Sequence, residues 1–385
     1  MNELVASLRN RESVAFPHTL QLAAYTLVYL LTWALVPLFT HWDVPVDNLE
    51  QLAWVLNPDW GYNKHPPFPT WVLWGAEQVF PHGIALTYLL GGLQVAMMLF
   101  IAWRLVLETL DARRAFVAVL AISCLTYYTN RLYYFNHNTA LLVAHAGATY
   151  CIWRCVSTGR TVWWLLLGLC WGAGMLSKYQ MLLSIACNVG FLAWLSTRPG
   201  WRSERREFVK GVLLAGTLSA AALAPHVAWL IRHDFPTFAY ASHSMAADLP
   251  VLMRPVGLLG FLANQVWRVL PVLALALLML KLQRGPAEAA GSLPDEGSAD
   301  RRATIRLLFL THAVGPFALM AALALFAGME LQMHWGTAFL WALVPLALLT
   351  SRGKRFAALP LGSIFTGILL VQALTLAYQA FLRAG

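Results

Sequence analysis

Charge is scarce in this sequence. Only 12% of its 385 residues are Asp, Glu, Lys or Arg, and 59% are hydrophobic, whereas a soluble domain carries roughly 25% charged residues. So few charges cannot cover a water-facing surface of a chain this long, which excludes a soluble globular domain and makes lipid the main solvent. Cysteine is scarce too. Cys124, Cys151, Cys155, Cys170 and Cys187 all lie in apolar runs without the spacing of a metal cluster, and they read as small apolar fillers. Acids are outnumbered by bases, 18 to 27, for a net charge of +9. In a soluble protein that balance would suggest nucleic acid. Here the bases fall in short loops between apolar runs, where they set membrane topology, and no nucleic-acid partner is expected. Tryptophan is plentiful at 17 residues, as suits side chains that sit at a bilayer interface. The start, Met1 to Pro17, is polar and the first apolar run is too long for a signal core, so no cleaved leader is expected.

About 20 apolar residues are needed to cross the hydrocarbon core. The runs 19–40, 84–107, 112–128, 137–156, 161–177, 180–197, 208–231, 256–282, 304–327, 333–350 and 357–381 qualify, with 112–128 and 161–177 the shortest. The fold class expected is therefore all-α integral membrane: a polytopic bundle of about eleven transmembrane helices forming a single domain over 1–385. Loops holding Arg9 and Arg11, Arg113 and Arg114, Arg154 and Arg160, Arg198 to Lys210, Lys281 to Arg306 and Arg352 to Arg355 alternate with loops poor in bases. The positive-inside rule then puts the N-terminus in the cytoplasm and the loop 41–83 outside. The Gly/Ala/Pro-rich stretch 284–303 reads as a flexible cytoplasmic linker.

The remaining polar residues collect on the outer side. In the loop 41–83, Asp43, Asp47, Glu50 and Trp54 recur at helical spacing and form an acidic face, while Leu49, Leu52, Ala53 and Leu56 form an apolar one. This is the pattern of an amphipathic helix lying on the membrane surface. Such helices ordinarily turn bases to the lipid phosphates, so an acidic face points to a general base, a divalent metal held by Asp47 and Glu50, or both; the bland reading is a solvated helix face. A turn-rich break at Asn57 to Tyr62 follows, then the extended Lys64-His65-Pro66-Pro67. A second short helix runs from Pro69 to Phe80.

Two further segments add polar groups. Arg131 to Asn138 brings Arg131, Tyr134, Asn136, His137 and Asn138 to the mouth of the fourth span, a pattern that also suits helix capping and an aromatic belt. Ser177-Lys178-Tyr179-Gln180 is a polar break between two apolar runs, where Lys178 either meets a phosphate or snorkels to the interface. His334 stands near the outer surface as a further candidate ligand-binding group.

Asp47-Asn48-Leu49-Glu50-Gln51 followed by Tyr62-Asn63-Lys64-His65-Pro66-Pro67-Phe68, and then by Phe135 to Asn138 and Ser177 to Tyr179, resembles the GT-C membrane glycosyltransferases. The likeness is to their family 39-like branch of protein mannosyltransferases and lipid A aminoarabinose transferases, and it covers the first 200 residues best. It implies a GT-C-like bundle and transfer of a sugar from a polyprenyl-phosphate donor to an extracytoplasmic acceptor such as lipid A, lipopolysaccharide or another glycan. It further implies a bacterial inner-membrane location and catalytic roles for Asp47, Glu50 and His65. Tyr62, Lys64, Arg131, Tyr134, Asn136, His137, Asn138, Lys178, Tyr179 and His334 are the implied substrate-binding set, with Lys64, His65, Arg131 and Lys178 facing the leaving phosphate. The chain departs from the family in three places: Asn48 stands where members often have Glu, Lys64 where they have an acid, and Asn136 to Asn138 where they often place Asp. A divalent metal is accordingly left open, as no cofactor follows with certainty from these residues. The large extracytoplasmic C-terminal domain of some members is not expected here. The rival readings are a transporter or flippase for a lipid-linked sugar, which would set charges at the midplane on broken helices, and a non-catalytic relative.

Overall fold

The computed structural model describes residues 19–40, 43–245, 250–282 and 298–384. It is helical throughout, with no β-strand among the described residues. We number the helices α1 Thr19–Phe39, α2 Val46–Trp54, α3 Phe68–Glu77, α4 Ile84–Thr109, α5 Ala112–Ser123, α6 Thr126–Asn130, α7 His137–Thr158 and α8 Thr161–Met175. There follow α9 Met181–Leu195, α10 Arg205–Arg232, α11 Pro236–Met245, α12 Arg254–Leu282, α13 Ala299–Phe326, α14 Leu343–Leu348, α15 Ser351–Ala358 and α16 Leu361–Ala384.

Among the described residues six helices are long and apolar enough to cross a bilayer: α1, α4, α10 with its preceding 3₁₀ turn, α12 with its own, α13 and α16. The chain is thus a multi-pass helical membrane protein, though five of the eleven expected runs are not among these six. Runs 137–156, 161–177 and 180–197 form α7, α8 and α9, of 22, 15 and 15 residues, and 112–128 and 333–350 are not single helices. Run 112–128 divides into α5, of 12 residues, and the short α6. At 1.5 Å per residue α5 is about 18 Å long, well under the hydrocarbon thickness. Run 333–350 holds only the six-residue α14 and a short 3₁₀ turn. The reason is the same in both. Ala115 to Ser123 and Phe339 to Ala342 are buried against other helices, so their apolarity serves the protein interior and not lipid. Of the expected linker 284–303, residues 284–297 lie outside the described residues; from Ala299 the chain is already α13, capped by the Ser298 hydroxyl accepting from the Arg301 amide.

Helix ends follow local chemistry. Asp111 caps α5 by accepting from the Arg114 amide at 2.8 Å. Asn136 and Thr139 form a reciprocal capping box at the start of α7, and Gly159 ends it in the left-handed conformation at φ 66°. Between α8 and α10 the backbones approach closely at small residues. A Cβ on Gly168 would lie 2.7 Å from the Ala215 carbonyl oxygen, and one on Gly172 would lie 3.2 Å from the Ala222 Cβ. This small-xxx-small stripe is how helices gain van der Waals contact where lipid supplies no hydrophobic drive. Polar groups inside the bundle are satisfied across helices. Trp33 Nε1 of α1 donates to Gln372 Oε1 of α16 at 2.8 Å, and Gln372 Nε2 donates to the Ser123 carbonyl of α5 at 2.8 Å.

Helix α2 keeps an apolar and an acidic face but adds a third, buried one that takes Leu52 from the apolar set. Leu49, Ala53 and Leu56 are exposed, a face suited to lipid, whereas the buried face is Asn48, Gln51, Leu52 and Val55. Asp47, Glu50 and Trp54 form the acidic, half-buried face. Leu52 and Val55 of the buried face pack with Leu73, Leu86 and Phe135, and its polar pair docks on loop backbone and hydroxyl groups. Asn48 Nδ2 donates to Thr87 Oγ1 at 2.8 Å and to the Tyr133 carbonyl at 3.0 Å, and its Oδ1 accepts from the Phe135 amide at 3.0 Å. Gln51 Oε1 accepts from Thr70 Oγ1 at 2.8 Å.

Candidate active site

The docking of α2 brings its acidic face to a cavity of about 500 Å³. Four breaks in the helical pattern meet there: the loop before α3, the α6–α7 turn, the α8–α9 break and the 329–335 segment. Each is extended or turned because of its own residues. The prolines after His65 end regular helix, and Asn136 caps α7. The loop carrying His65 is pinned by the Phe68 amide donating to the Leu176 carbonyl at 2.9 Å. Leu182 and Leu183 of α9, Met320 and Leu323 of α13 and Phe238 of α11 line the apolar part of the same cavity.

Of the residues singled out from the sequence, Asp47, Lys64, His65, Arg131, Tyr134, Asn136, His137, Asn138, Lys178, Tyr179 and His334 line this one cavity. Glu50 and Tyr62 do not. Tyr62 stacks on Trp54, with ring centroids 4.8 Å apart, and supports the loop from behind. Glu50 binds Lys64, accepting from its ammonium at 2.9 and 3.0 Å, while Asp47 Oδ1 lies 3.8 Å from the same nitrogen. Asp47 Oδ2 accepts from Asn136 Nδ2 at 2.7 Å. Lys178 Nζ donates to Asn138 Oδ1 at 2.7 Å and lies 5.6 Å from the Trp335 ring centroid. His65 lies against His137 with centroids 3.7 Å apart. Tyr179 donates its hydroxyl to His226 Nε2 at 2.8 Å, because His226 Nδ1 must donate to the Trp60 carbonyl at 2.6 Å.

The three departures from the family pattern therefore compensate one another locally. Lys64 supplies a counter-charge to Asp47 and Glu50, and Asn136 orients Asp47. Asn138, where an acid would form a salt bridge, gives Lys178 a neutral acceptor and leaves its charge unmatched. A divalent metal does not fit this arrangement. The position shared by Asp47 and Glu50 is taken by the Lys64 ammonium, and no group of three His, Cys, Asp or Glu converges among the described residues.

Electrostatics separate the two lysines. Burial works to lower the Lys64 pKa, but the hydrogen bond and charge of Glu50 and the charge of Asp47 outweigh it and raise it above the ordinary lysine value. Lys178 has no such bonded acid, and burial drops its pKa to about 7, with Asp47 opposing and Lys64 adding to the drop. The imidazoles stay neutral: burial, reinforced by Lys178 and Lys64, holds His65 well below its ordinary value. Burial takes His334 down to about 3, with Lys178, Arg131, Arg268 and Lys64 all contributing. The sequence did not single out Thr237, Phe238 and Tyr240 of α11, or Gln332 and Trp335, which also line the cavity. Aromatic character, shared with many interface residues, could have marked Phe238, Tyr240 and Trp335; Thr237 and Gln332 carried no such signal.

The sequence and the fold are matched by known proteins. The family profile of dolichyl-phosphate-mannose-protein mannosyltransferases matches residues 64–229, which include most of the cavity wall. The structure of ArnT from Cupriavidus metallidurans bound to undecaprenyl phosphate superposes with a TM-score of 0.58, at 16% identity, over 86% of this chain and 60% of that one. This is the GT-C fold. Its apo form superposes with a TM-score of 0.52, also at 16% identity, over 92% of this chain and 77% of that one. The lipopolysaccharide core galacturonosyltransferase RgtA of Rhizobium johnstonii (strain DSM 114642 / LMG 32736 / 3841) is 27% identical over 271 residues, 67% of this chain. The chain spans about half the length of that curated relative, of which the match covers 51%. The resemblance to GT-C membrane glycosyltransferases read from the sequence is borne out.

Proposed function

We propose that this GT-C chain transfers a sugar from a polyprenyl-phosphate carrier to a glycolipid or glycan acceptor, lipopolysaccharide or lipid A in the first instance, on the outer face of a bacterial inner membrane. The observation that carries the reading is one cavity holding a carboxylate, Asp47, and an ammonium without a bonded acid, Lys178, beside an apolar wall from α9 and α13. That combination suits a reacting hydroxyl, a leaving phosphate and a prenyl tail respectively. The curated relative acts on lipopolysaccharide core, and one matched structure holds undecaprenyl phosphate; both support it.

In the mechanism the acceptor hydroxyl gives its proton to Asp47 as its oxygen attacks the anomeric carbon. The bond from that carbon to the carrier phosphate breaks, and the electron pair leaves with the phosphate. Asn136 holds Asp47 in position through one oxygen, leaving the other toward Lys64 and the cavity. Lys64, fixed by Glu50, sets its positive charge 3.8 Å from the Asp47 carboxylate. Lys178 answers the charge that develops on the departing phosphate, an interaction that strengthens in the transition state. His65 is a neutral hydrogen-bonding group on the wall, not a cation. Polar groups at the helix breaks of one loop cluster, and not on midplane unwound helices, favour an enzyme over a transporter.

The test is mass spectrometry of total lipids and lipopolysaccharide from cells carrying wild type, Asp47→Asn or no protein. A mass increment of one sugar unit seen only with wild type is expected and names both sugar and acceptor. Identical profiles in all three would overturn the proposal.

A further inference from the structure

The cavity holds more positive charge than one carrier phosphate can use. Lys64, Lys178 and Arg131 line it, and Arg268 of α12 stands behind Tyr127, its guanidinium carbon 5.5 Å from the ring centroid. Arg131 lies 5.8 Å from the same Tyr127 ring and 5.1 Å from that of Tyr134. Against these four cations the neighbourhood sets two carboxylates, Asp47 and Glu50, both turned to Lys64. Two positive charges are left over, and a sugar phosphodiester brings one negative charge.

The excess sits on the arginines as much as on Lys178. Arg131 forms no salt bridge among the described residues, its side chain held by two tyrosine faces. Arg268 is held by neutral acceptors, with Nε donating to Asn264 Oδ1 at 2.8 Å and Nη2 to the Met333 carbonyl at 3.3 Å. Two guanidiniums sharing one aromatic ring repel each other, and among the described residues neither is paired with a carboxylate. His334, next along from Met333, lies in the field of all four cations and stays neutral, so it adds no competing charge. Guanidinium presents a planar fork that matches an oxyanion bidentately, and a lysine acts as a point charge. The chemistry of the two regions therefore differs.

We propose that Arg131, with the charge of Arg268 near the same Tyr127 ring, is a second anion subsite of this cavity, taking an oxyanion carried by one of the two substrates in addition to the carrier phosphate held at Lys178. The oxyanion is either a carboxylate on the transferred sugar or a phosphate on the acceptor. This deepens the glycosyltransferase reading and rests on it.

The experiment uses the full chain in lipid nanodiscs. Binding is measured for undecaprenyl phosphate, for undecaprenyl phosphate linked to a neutral hexose, and for the same carrier linked to the corresponding hexuronic acid. Transfer is measured to lipid A with and without its phosphates. Wild type, Arg131→Gln, Arg131→Lys and Arg268→Gln are compared. If the sugar carries the anion, wild type prefers the hexuronic donor by about ten- to a hundredfold, the range of a charged hydrogen-bonded pair. Arg131→Gln then erases the preference and Arg131→Lys restores only part. If the acceptor carries it, the two donors bind alike, and Arg131→Gln raises KM for phosphorylated lipid A by a similar factor without affecting the dephosphorylated form. Either result supports the subsite and names its source. Arg131→Gln weakening undecaprenyl phosphate as much as every other ligand, or changing none of them, would overturn the subsite alone. Wild type that binds no undecaprenyl phosphate would overturn the glycosyltransferase reading and the subsite with it.

Discussion

Lys178 gives the site a pH dependence whose size follows from the structure. Burial places its pKa at about 7, so the ammonium exists below that value and is lost above it. Only the charged form answers a phosphodiester. The apparent affinity for a polyprenyl phosphodiester should then be flat below about pH 7 and fall about tenfold per pH unit above it, or about a hundredfold between about pH 6 and about pH 9. The interval is clean because the neighbours do not titrate in it. His65 and His334 are held far below it, and Lys64 is raised above the ordinary lysine value by Glu50 and Asp47. The perturbation is Lys178→Gln, which keeps a hydrogen-bond partner for Asn138 and removes the charge. It should bind the phosphodiester weakly at every pH, with the slope abolished. Tryptophan fluorescence titration of the protein in nanodiscs reads both curves. A wild-type profile flat to about pH 9, or an identical slope in Lys178→Gln, would refute the assignment of the carrier phosphate to Lys178.

Four other outcomes are expected. Asp47→Asn keeps an acceptor for Asn136 and should fold and bind donor, yet transfer should fall by about a hundred- to ten-thousandfold in single-turnover assays; full activity would remove Asp47 as the base. Glu50→Gln frees the Lys64 ammonium and should lower transfer roughly tenfold with donor affinity little changed, so an unaltered rate would show that Lys64 needs no anchor. Asn48→Asp restores an acid of the family pattern but turns a carboxylate oxygen on the Tyr133 carbonyl and loses two donated bonds. It should destabilise by about 2–3 kcal/mol, read as a lower melting temperature, and unchanged melting would contradict the docking of α2. Gly168→Val adds bulk where a Cβ already meets the Ala215 carbonyl at 2.7 Å and should sharply reduce the yield of monodisperse protein, whereas Gly216→Val, where a Cβ meets nothing within 4 Å, should not.

The identity of the cavity residues was legible in the sequence to a useful degree. Asp47, Lys64, His65, Asn136 to Asn138 and Lys178 each interrupt an apolar run or sit beside a proline, and polar residues in such places are costly unless they are used. Their partnerships were not legible. Asp47 and Glu50 read alike at helical spacing, yet one faces the cavity and the other anchors a lysine 14 positions away. Lys64 and Lys178 read alike as outer-face cations, and only burial and the presence or absence of a bonded carboxylate set them apart.

What the sequence determined by itself is the solvent. A chain with so few charges must bury its backbone polar groups in helices and give its apolar faces to lipid, and the spacing of bases between runs orders those helices. Hydropathy measures dislike of water and does not say what replaces it. Hence 112–128 and 333–350 looked like crossings until their packing against other helices was seen, and Leu52 read as one apolar face with Leu49, Ala53 and Leu56 when it is buried with Asn48 and Gln51. Which polar side chain meets which is decided by contacts between segments far apart in the chain, Asp47 with Asn136, Lys178 with Asn138, Arg131 with Arg268 across Tyr127. Tertiary structure alone supplies those distances, and with them the charge that a substrate would have to balance.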